Sequence, residues 1–558
     1  MGKDASVRES IAKELGQTSR HCYAKELQSV SIKNKQAFLD LVSKTGQNQD
    51  KPMWWATMAA YKSPLISDLF LNYSFLLLVQ TWIEQGIKKR LIIVEDAWLA
   101  EACSSSFNDE SVFVAKALGS HIKNYAKHRI LFVASMIYAS LRLASLWLFN
   151  KIYAAKYRMQ LAEVLKNKID ILFYTWIGDR SFKGEQPEFT GPYLKALRSY
   201  CKEKKLNTVT FTLPNLSVRL LKKTHKSEEI IPIMLFAKFS DIFKAAKRSL
   251  TLKWRKLQGD VNGLNFNPLL EAEIFKERGG IVSTYLNYLI NLNIFEKHNI
   301  SPKVIAYPFE NQTWDKMLIT AARQTGIDSK IVACHTITVP FFYLNFFLGE
   351  DENKSHPQPD IIMANGHYAK SILDKAGFSC DIKNGGSLRY ASNAKSAESQ
   401  EHVENSDRDE KVLVLLSVSL DYSLDLLFYL LRNETSNKTF FLKPHPDTPE
   451  SVIREHLPEL PSNFTFVSGS MEQWMEQVGW AVHIGTTAAL ECMANGINVL
   501  KYLPERIDLD PLLCTDFKQK TICDKDALNF STDENPDEFD SSLIAEPFNR
   551  QAWDDILS

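Results

Sequence analysis

Residues 439–450 read TFFLKPHPDTPE and residues 480–500 read WAVHIGTTAALECMANGINVL. In each, an apolar run with the composition of a strand stops at a turn former, Pro444 in the first and Gly485 in the second, and polar residues follow. After the second turn, Ala488, Leu490 and Met493 carry the chain on as a helix. Strand, polar turn and helix make up the repeating unit of a parallel sheet with crossover connections. Such sheets bind ligands at the carboxyl ends of their strands.

Those ends carry groups suited to an anion. Lys443 supplies a point charge, and His445 can donate to a phosphate oxygen or protonate a leaving group. Pro444 and Pro446 stiffen the turn. Gly485 gives a tight turn, and Thr486 or Thr487 is placed to cap the next helix, whose first N–H groups and positive end attract an anion. Glu491, one turn into that helix, can accept from a ribose or sugar hydroxyl. Read separately, the two turns can be a strand-ending turn and an ordinary capped helix. Together, on strands expected to be neighbours, they form an anion site.

The alternation extends in both directions. Strand-like runs fall at 169–176, 208–213, 304–307, 331–334 and 360–364, and again at 412–417, 439–442, 464–467, 481–484 and 499–502. The expected fold is therefore α/β, with two Rossmann-like domains facing a cleft, at 161–378 and 379–558, and a mostly helical extension at 1–160. The polar stretch 392–410 is expected to be a loop near the domain junction. Within the extension, 91–94 reads as a strand. Residues 111–162 combine apolar side chains with eight Lys and Arg and no acid, and 230–257 reads as a second basic amphipathic helix. Such stretches suit an anionic membrane surface, and equally helices packed on a core with solvated basic edges. Arg142, in the middle of the apolar run 130–149, argues against a spanning helix.

Composition bounds the function. With 45% hydrophobic and 24% charged residues the chain is an ordinary globular one, and 66 basic against 66 acidic side chains give no whole-molecule field for nucleic acid. The eight cysteines contain no CxxC pair, so neither a zinc site nor a disulfide framework is expected. The amino terminus MGKDASVRESIAKELGQ lacks the apolar stretch of a secretory signal. The expected location is the cytoplasm, with peripheral contact to the inner face of the membrane if the basic stretches serve that purpose.

FLKPHP followed by HIGTTAALECMANGINVL resembles the carboxyl-terminal half of GT-B glycosyltransferases of bacterial surface-carbohydrate synthesis, especially the sialyl, pseudaminyl and Kdo type that use CMP-activated keto sugars. MWWATMAAYKSP at 53–64, YPFENQTWDKM at 307–317, Pro359-Asp360, Asn365-Gly366 and Gly386-Ser387-Leu388-Arg389-Tyr390 add to the resemblance, which spans about residues 53–503. It implies transfer of a CMP-linked nonulosonic acid or Kdo-like sugar to a surface glycan or lipid-linked precursor. His445 and the Thr486-Thr487 pair would bind the CMP phosphate, and no cofactor or metal would be needed. A CDP-glycerol-type glycerophosphotransferase, a UDP-sugar transferase and a nonenzymatic glycan-binding or assembly subunit are the competing readings.

Transfer needs a base to deprotonate the acceptor hydroxyl. Glu310 is the first candidate because it leaves a strand at the carboxyl edge, although a first-turn acid also favours a helix dipole. Asp179 has an equivalent position on another strand. Asp96 is third, as Val94-Glu95-Asp96-Ala97 only partly matches the family's acidic motif. Asn311 and Gln312 can bind acceptor hydroxyls or cap the helix, and His335 follows a strand. Ser387 and Arg389 are assigned to the donor side, where the guanidinium can pair with a carboxylate or phosphate or bridge the domains. Asp508-Leu509-Asp510 has the letters of a metal motif but falls after the last strand.

Overall fold

In the computed structural model, the described residues run from 4 to 557, apart from 17–19, 87–91, 108–119, 179–180, 184–187, 214–217, 227–229, 256–258, 390–405, 434–437, 532–538 and isolated positions; of 120–125 and 154–166 only the backbone is described. The polar stretch expected as a loop therefore lies mostly outside them.

Two parallel sheets form the frame. The first contains β1 (Ile171–Thr175), β2 (Thr208–Thr212), β3 (Ile230–Pro232), β4 (Val304–Phe309), β5 (Lys330–His335), β6 (Ile361–Ala364) and β7 (Asp381–Asn384). Their spatial order is β7-β6-β5-β4-β1-β2-β3. The second contains β8 (Lys411–Leu415), β9 (Thr439–Lys443), β10 (Phe464–Phe466), β11 (Trp480–His483), β12 (Asn498–Tyr502) and β13 (Lys520–Ile522), in the order β10-β9-β8-β11-β12-β13. Every pairing in both is parallel. Each sheet thus runs out one way from its first strand and then reverses, which makes both doubly wound, as expected. The reversal opens a crevice at the carboxyl ends of β1 and β4 in one sheet and of β8 and β11 in the other. The central strands β1 and β4 are buried along their whole length, as helices on both faces require.

Several expectations change. Ile92 to Val94 form no strand, and Leu91 is outside the described residues. The stretch expected as one basic helix at 230–257 begins with β3 and a single 3-10 turn, and only Phe239–Thr251 is α-helical. Pro232, which lacks an N–H, ends that strand at the sheet's edge. The strand β7 pairs with β6, so the first sheet continues past residue 378. The chain also returns to it at its end. Trp553, on the helix Arg550–Leu557, is fully buried against the first sheet, and its indole N–H donates to the Gly385 carbonyl at 3.1 Å. Gly386 has a φ of +66°, and a β-carbon there would sit 2.0 Å from the Pro547 carbonyl oxygen, so this crossing admits only glycine.

The amino-terminal region is helical, and its second helix, Ala24–Gln47, touches both halves. Near its start, Gln28 donates to the Pro504 and Arg506 carbonyls and accepts from the Asp508 N–H at 3.1 Å. Further along, Lys35 donates to the Phe341 carbonyl at 2.7 Å, Ser43 to the Glu350 carbonyl at 2.8 Å, and Asp40 accepts from the Glu350 N–H. Gly349 packs so closely that a β-carbon would meet the Leu39 carbonyl oxygen at 2.2 Å. The preceding helix, Ala5–Leu15, pairs Arg8 with Asp425 and Glu9 with Arg432 of the second domain. Replacing Gln28 by Ala leaves buried carbonyl and amide groups without their partner and is expected to cost about 1–3 kcal/mol. Thermal unfolding of Gln28→Ala beside the exposed control Lys33→Ala checks this, with the control unchanged.

Candidate functional site

The carboxyl ends of β8, β9 and β11 line the second crevice. The Lys443-Pro444-His445 turn and the Gly485 turn are not on neighbouring strands as expected, because β8 runs between β9 and β11. The loop leaving β8, Ser417-Val418-Ser419, therefore sits between them and enters the helix Leu420–Asn433. Thr448 ties the arrangement together by donating to the Val418 carbonyl at 2.6 Å. Ser417, Ser419 and Thr448 were not singled out in the sequence. Only the strand order brings them to the crevice, although a small polar loop directly after an apolar strand was a usable signal.

His445 is about one-third exposed. Its Nδ1 accepts from the Asp447 N–H at 3.2 Å, a bond that selects the tautomer with the proton on Nε2. Lys443 is half-buried and donates to the Gly469 carbonyl at 2.5 Å, and burial lowers its pKa from the ordinary value. Pro446 is exposed. Gly485 has a φ of +74°, and a β-carbon there would meet the Leu509 carbonyl carbon at 3.0 Å, so both conformation and space call for glycine. Its N–H donates to Nδ1 of His483, which is fully buried, has its pKa lowered by that burial, and contacts Gln519 through Nε2.

The helix after this turn, Ala488–Ala494, spans only seven residues, so its dipole is that of two turns. Thr487 holds the cap position without a side-chain cap bond, contrary to expectation. Thr486 instead accepts from the Ala488 N–H at a long 3.4 Å. Both threonines are at least partly solvent-accessible, and so is Glu491. Burial and nearby Glu472 raise the Glu491 pKa, while Arg389 opposes the rise.

Opposite, the first sheet presents Glu310 at the exit of β4. Burial raises its carboxyl above the usual glutamate range, against the opposing pull of a 2.5 Å bond from the Gln312 amide and the charge of Arg389. Arg389 thus acts electrostatically on Glu310 of one domain and Glu491 of the other. Ser387 is buried, its N–H donating to the Glu546 carbonyl and its hydroxyl accepting from Arg389 N–H at 3.3 Å. It supports Arg389 rather than facing the crevice.

The expected acceptor-binding pair divides. Asn311 is buried with a φ of +49° and donates to the Asn345 carbonyl, while Asn345 donates to the Glu310 carbonyl. It is a brace. Gln312 bridges the Glu310 carboxylate and the Trp314 indole, whose N–H it accepts at 3.0 Å, and so orients Glu310. His335 is buried against Asn365 and pushed by that burial down to about 4, so it stays neutral. Asp179 lies outside the described residues. Asp508 and Asp510 are buried around Lys501, each 2.6 Å from its ammonium, as a structural ion triad.

Asp96 caps the helix Ala97–Ser106 and pairs with Lys276 at 2.9 Å. Burial pushes its pKa up, but the ammonium and the two helix N–H groups outweigh this and hold it below the ordinary value. A carboxylate so committed is a poor general base. No group of three or more His, Cys, Asp or Glu placed to hold a metal occurs among the described residues.

No protein-family model matches the chain, and no curated protein matches it significantly. Solved structures give weak likenesses. UDP-N-acetylglucosamine 2-epimerase from Rickettsia bellii is 10% identical with a TM-score of 0.36, covering 64% of this chain and 84% of that one. The Methanocaldococcus jannaschii UDP-GlcNAc 2-epimerase in complex with UDP-GlcNAc and UDP is 12% identical (TM-score 0.34, 64% and 89% covered). Acinetobacter baumannii MurG is also 12% identical (TM-score 0.33, 64% and 86%). Similarity this low says nothing of substrate or reaction, and the doubly wound architecture rests on the chain's own strand order.

Asp96→Ala is expected to lower stability by about 1–2 kcal/mol through the lost cap and to leave turnover unchanged. Because the folded-state pKa is depressed, that stabilisation is present above the ordinary aspartate value and is lost as pH falls through the lowered one. Melting temperatures of wild type and variant that converge on acidification check this.

Proposed function

We propose that the protein is a nucleotide-sugar-dependent glycosyltransferase whose donor phosphate lies against Lys443, His445 and the Gly485-Thr486-Thr487 turn, with Glu310 as the base that activates the acceptor hydroxyl. The observation that carries this reading is the complementary chemistry at the carboxyl edges of the two doubly wound sheets, with Arg389 acting electrostatically on an acid of each. One edge offers cations, hydroxyls and turn N–H groups, and the other offers a buried carboxyl of raised pKa. A raised carboxyl suits a base, since its conjugate acid is weaker than an ordinary carboxylic acid and so better holds the proton it removes. The His445 tautomer, with its proton on Nε2, suits donation to a phosphate oxygen or leaving group.

The finer reading is a CMP-linked keto sugar of the nonulosonic acid or Kdo type, delivered to a glycan or glycolipid acceptor. Its support is the resemblance of FLKPHP and HIGTTAALECMANGINVL to such transferases, and Arg389 can receive the donor's carboxylate through its planar fork. Glu491 is the further group that can accept from a sugar hydroxyl, and Gln312 serves by orienting Glu310. The burial of His483 weighs against a glycerophosphotransferase that would recruit a second histidine at the glycine turn.

Thermal shift with CMP, CDP and UDP separates the donor readings. CMP is expected to stabilise most; a larger shift with CDP or UDP replaces the CMP reading, and no shift with any nucleotide refutes a nucleotide-dependent enzyme. His445→Ala is expected to slow transfer by about a hundredfold and weaken the nucleotide shift. Glu310→Gln should keep the shift and lose transfer by about a hundredfold or more. Because burial raises Glu310, the wild-type kcat/KM should increase with pH through an acidic limb displaced above the ordinary glutamate value. An unshifted limb removes Glu310 as the base.

A further inference from the structure

The long helix Ser120–Lys166 carries apolar residues on two faces. Its inner face buries Met136, Leu143 and Leu146. Its outer face holds Ile130, Ile137, Leu141, Leu148 and Ile152, spaced at helical intervals and each more than half exposed, from 55% at Ile137 to 69% at Ile130. This stripe runs from Ile130 to Ile152, about 33 Å of helix. The helix Phe239–Thr251 adds Phe239, Phe243 and Leu250, likewise exposed and likewise on one stripe. Trp147 joins the two, lying 5.4 Å from the Phe239 ring and donating to the Ala237 carbonyl at 3.0 Å. The result is one continuous apolar face of a kind that a water-facing surface rarely carries.

Its charges have one sign. Residues 120–162 contain no Asp or Glu. Lys127, Arg142 and Lys151 on the first helix and Lys247 on the second are exposed around the apolar stripes. The single acid of the second helix, Asp241, is buried and bound to the Lys238 N–H and the Asn293 amide. A second copy of the chain laid on this face would bring cations against cations, whereas anionic lipid complements them.

Ala126–Tyr153 is long and apolar enough to cross a bilayer, but its inner face is seated on the folded domain. A β-carbon on Gly279 would meet the Ser135 carbonyl oxygen at 2.6 Å, so the helix is seated against the folded domain. Spanning would strip that contact and the Trp147 bond and place Arg142 in hydrocarbon.

We propose that this face rests on an anionic bilayer, with both helices parallel to the membrane plane and their outer apolar residues in the headgroup and acyl boundary. The inference stands apart from the nucleotide-sugar reading, since it draws on none of the crevice residues. Flotation of the full chain with phosphatidylglycerol–phosphatidylcholine vesicles tests it. The wild type is expected to float with these vesicles at low salt and much less at high salt. Ile137→Glu/Leu141→Glu/Phe243→Glu, at exposed positions and expected to leave the melting temperature unchanged, should abolish flotation. Lys247→Ala should weaken partition by about fivefold. A wild type that stays with the soluble fraction overturns the proposal, as does a triple variant that floats equally well. So does a solution dimer that Ile137→Glu dissolves, which would make a second copy the occupant.

Discussion

The helix Ala24–Gln47 is hydrogen-bonded to both sheets' loops, and the geometry of the crevice depends on that double attachment. Gln28 and Ser43 are 15 residues apart, about 22 Å along the axis. At the Gln28 end the helix holds the segment 504–508, which continues into Leu509 and so backs the Gly485 turn. At the Ser43 end it holds Phe341 and Glu350, which flank Asn345. Asn345 in turn bonds the Glu310 carbonyl and accepts from Asn311. One rigid element therefore reaches the supports of the candidate base and of the candidate phosphate turn, with at most two intermediaries on either side.

Such a strut has an electrostatic consequence. Glu310 and Glu491 are both raised by burial, and both feel Arg389. Two partly desolvated acids sharing one guanidinium are sensitive to its distance, because the Coulomb energy is large where water is excluded. A hinge free to open would let their proton affinities drift with each excursion. Fixing the separation of the two edges holds the field of Arg389 at Glu310 steady. The Gln312 bond does the same on a smaller scale by holding the carboxylate's orientation.

Much of this was legible in the sequence, and the failures have physical causes. Central strands such as Val304–Phe309 are buried on both faces and read as plain apolar runs. The edge strands Asp381–Asn384 and Lys520–Ile522 are short and only half-buried, so they leave no such run, while Ile230–Pro232 is hidden in an apolar stretch that continues as a 3-10 turn. Ile92 to Val94 are as apolar as a strand but have no neighbour to pair with among the described residues. Strand order lies beyond local pattern altogether. β1 pairs with β4 across more than 120 residues, and the insertion of β8 between β9 and β11 follows from crossover topology. The position of Glu310 could be read because a strand exit is a local feature. The bracing roles of Asn311 and Ser387 could not, since they are set by Asn345 and Glu546, which are distant in the chain.

The two histidines at the second crevice show how burial decides a role that residue type leaves open. His483 and His445 both stand at the end of a strand, and both accept a backbone N–H two residues on through Nδ1. His483 is enclosed, its other nitrogen contacts Gln519, and Gln519 is bonded to Asp510 of the buried Lys501 triad. Burial holds it neutral, and its work is to fix the Gly485 turn. His445 has the same intraloop bond but is about one-third exposed, because Pro444 ends β9 one residue earlier and lifts the ring out of the sheet. The same imidazole is thus enclosed scaffold in one turn and partly solvent-exposed in the other. The proline, more than the histidine, marks the turn whose imidazole reaches solvent.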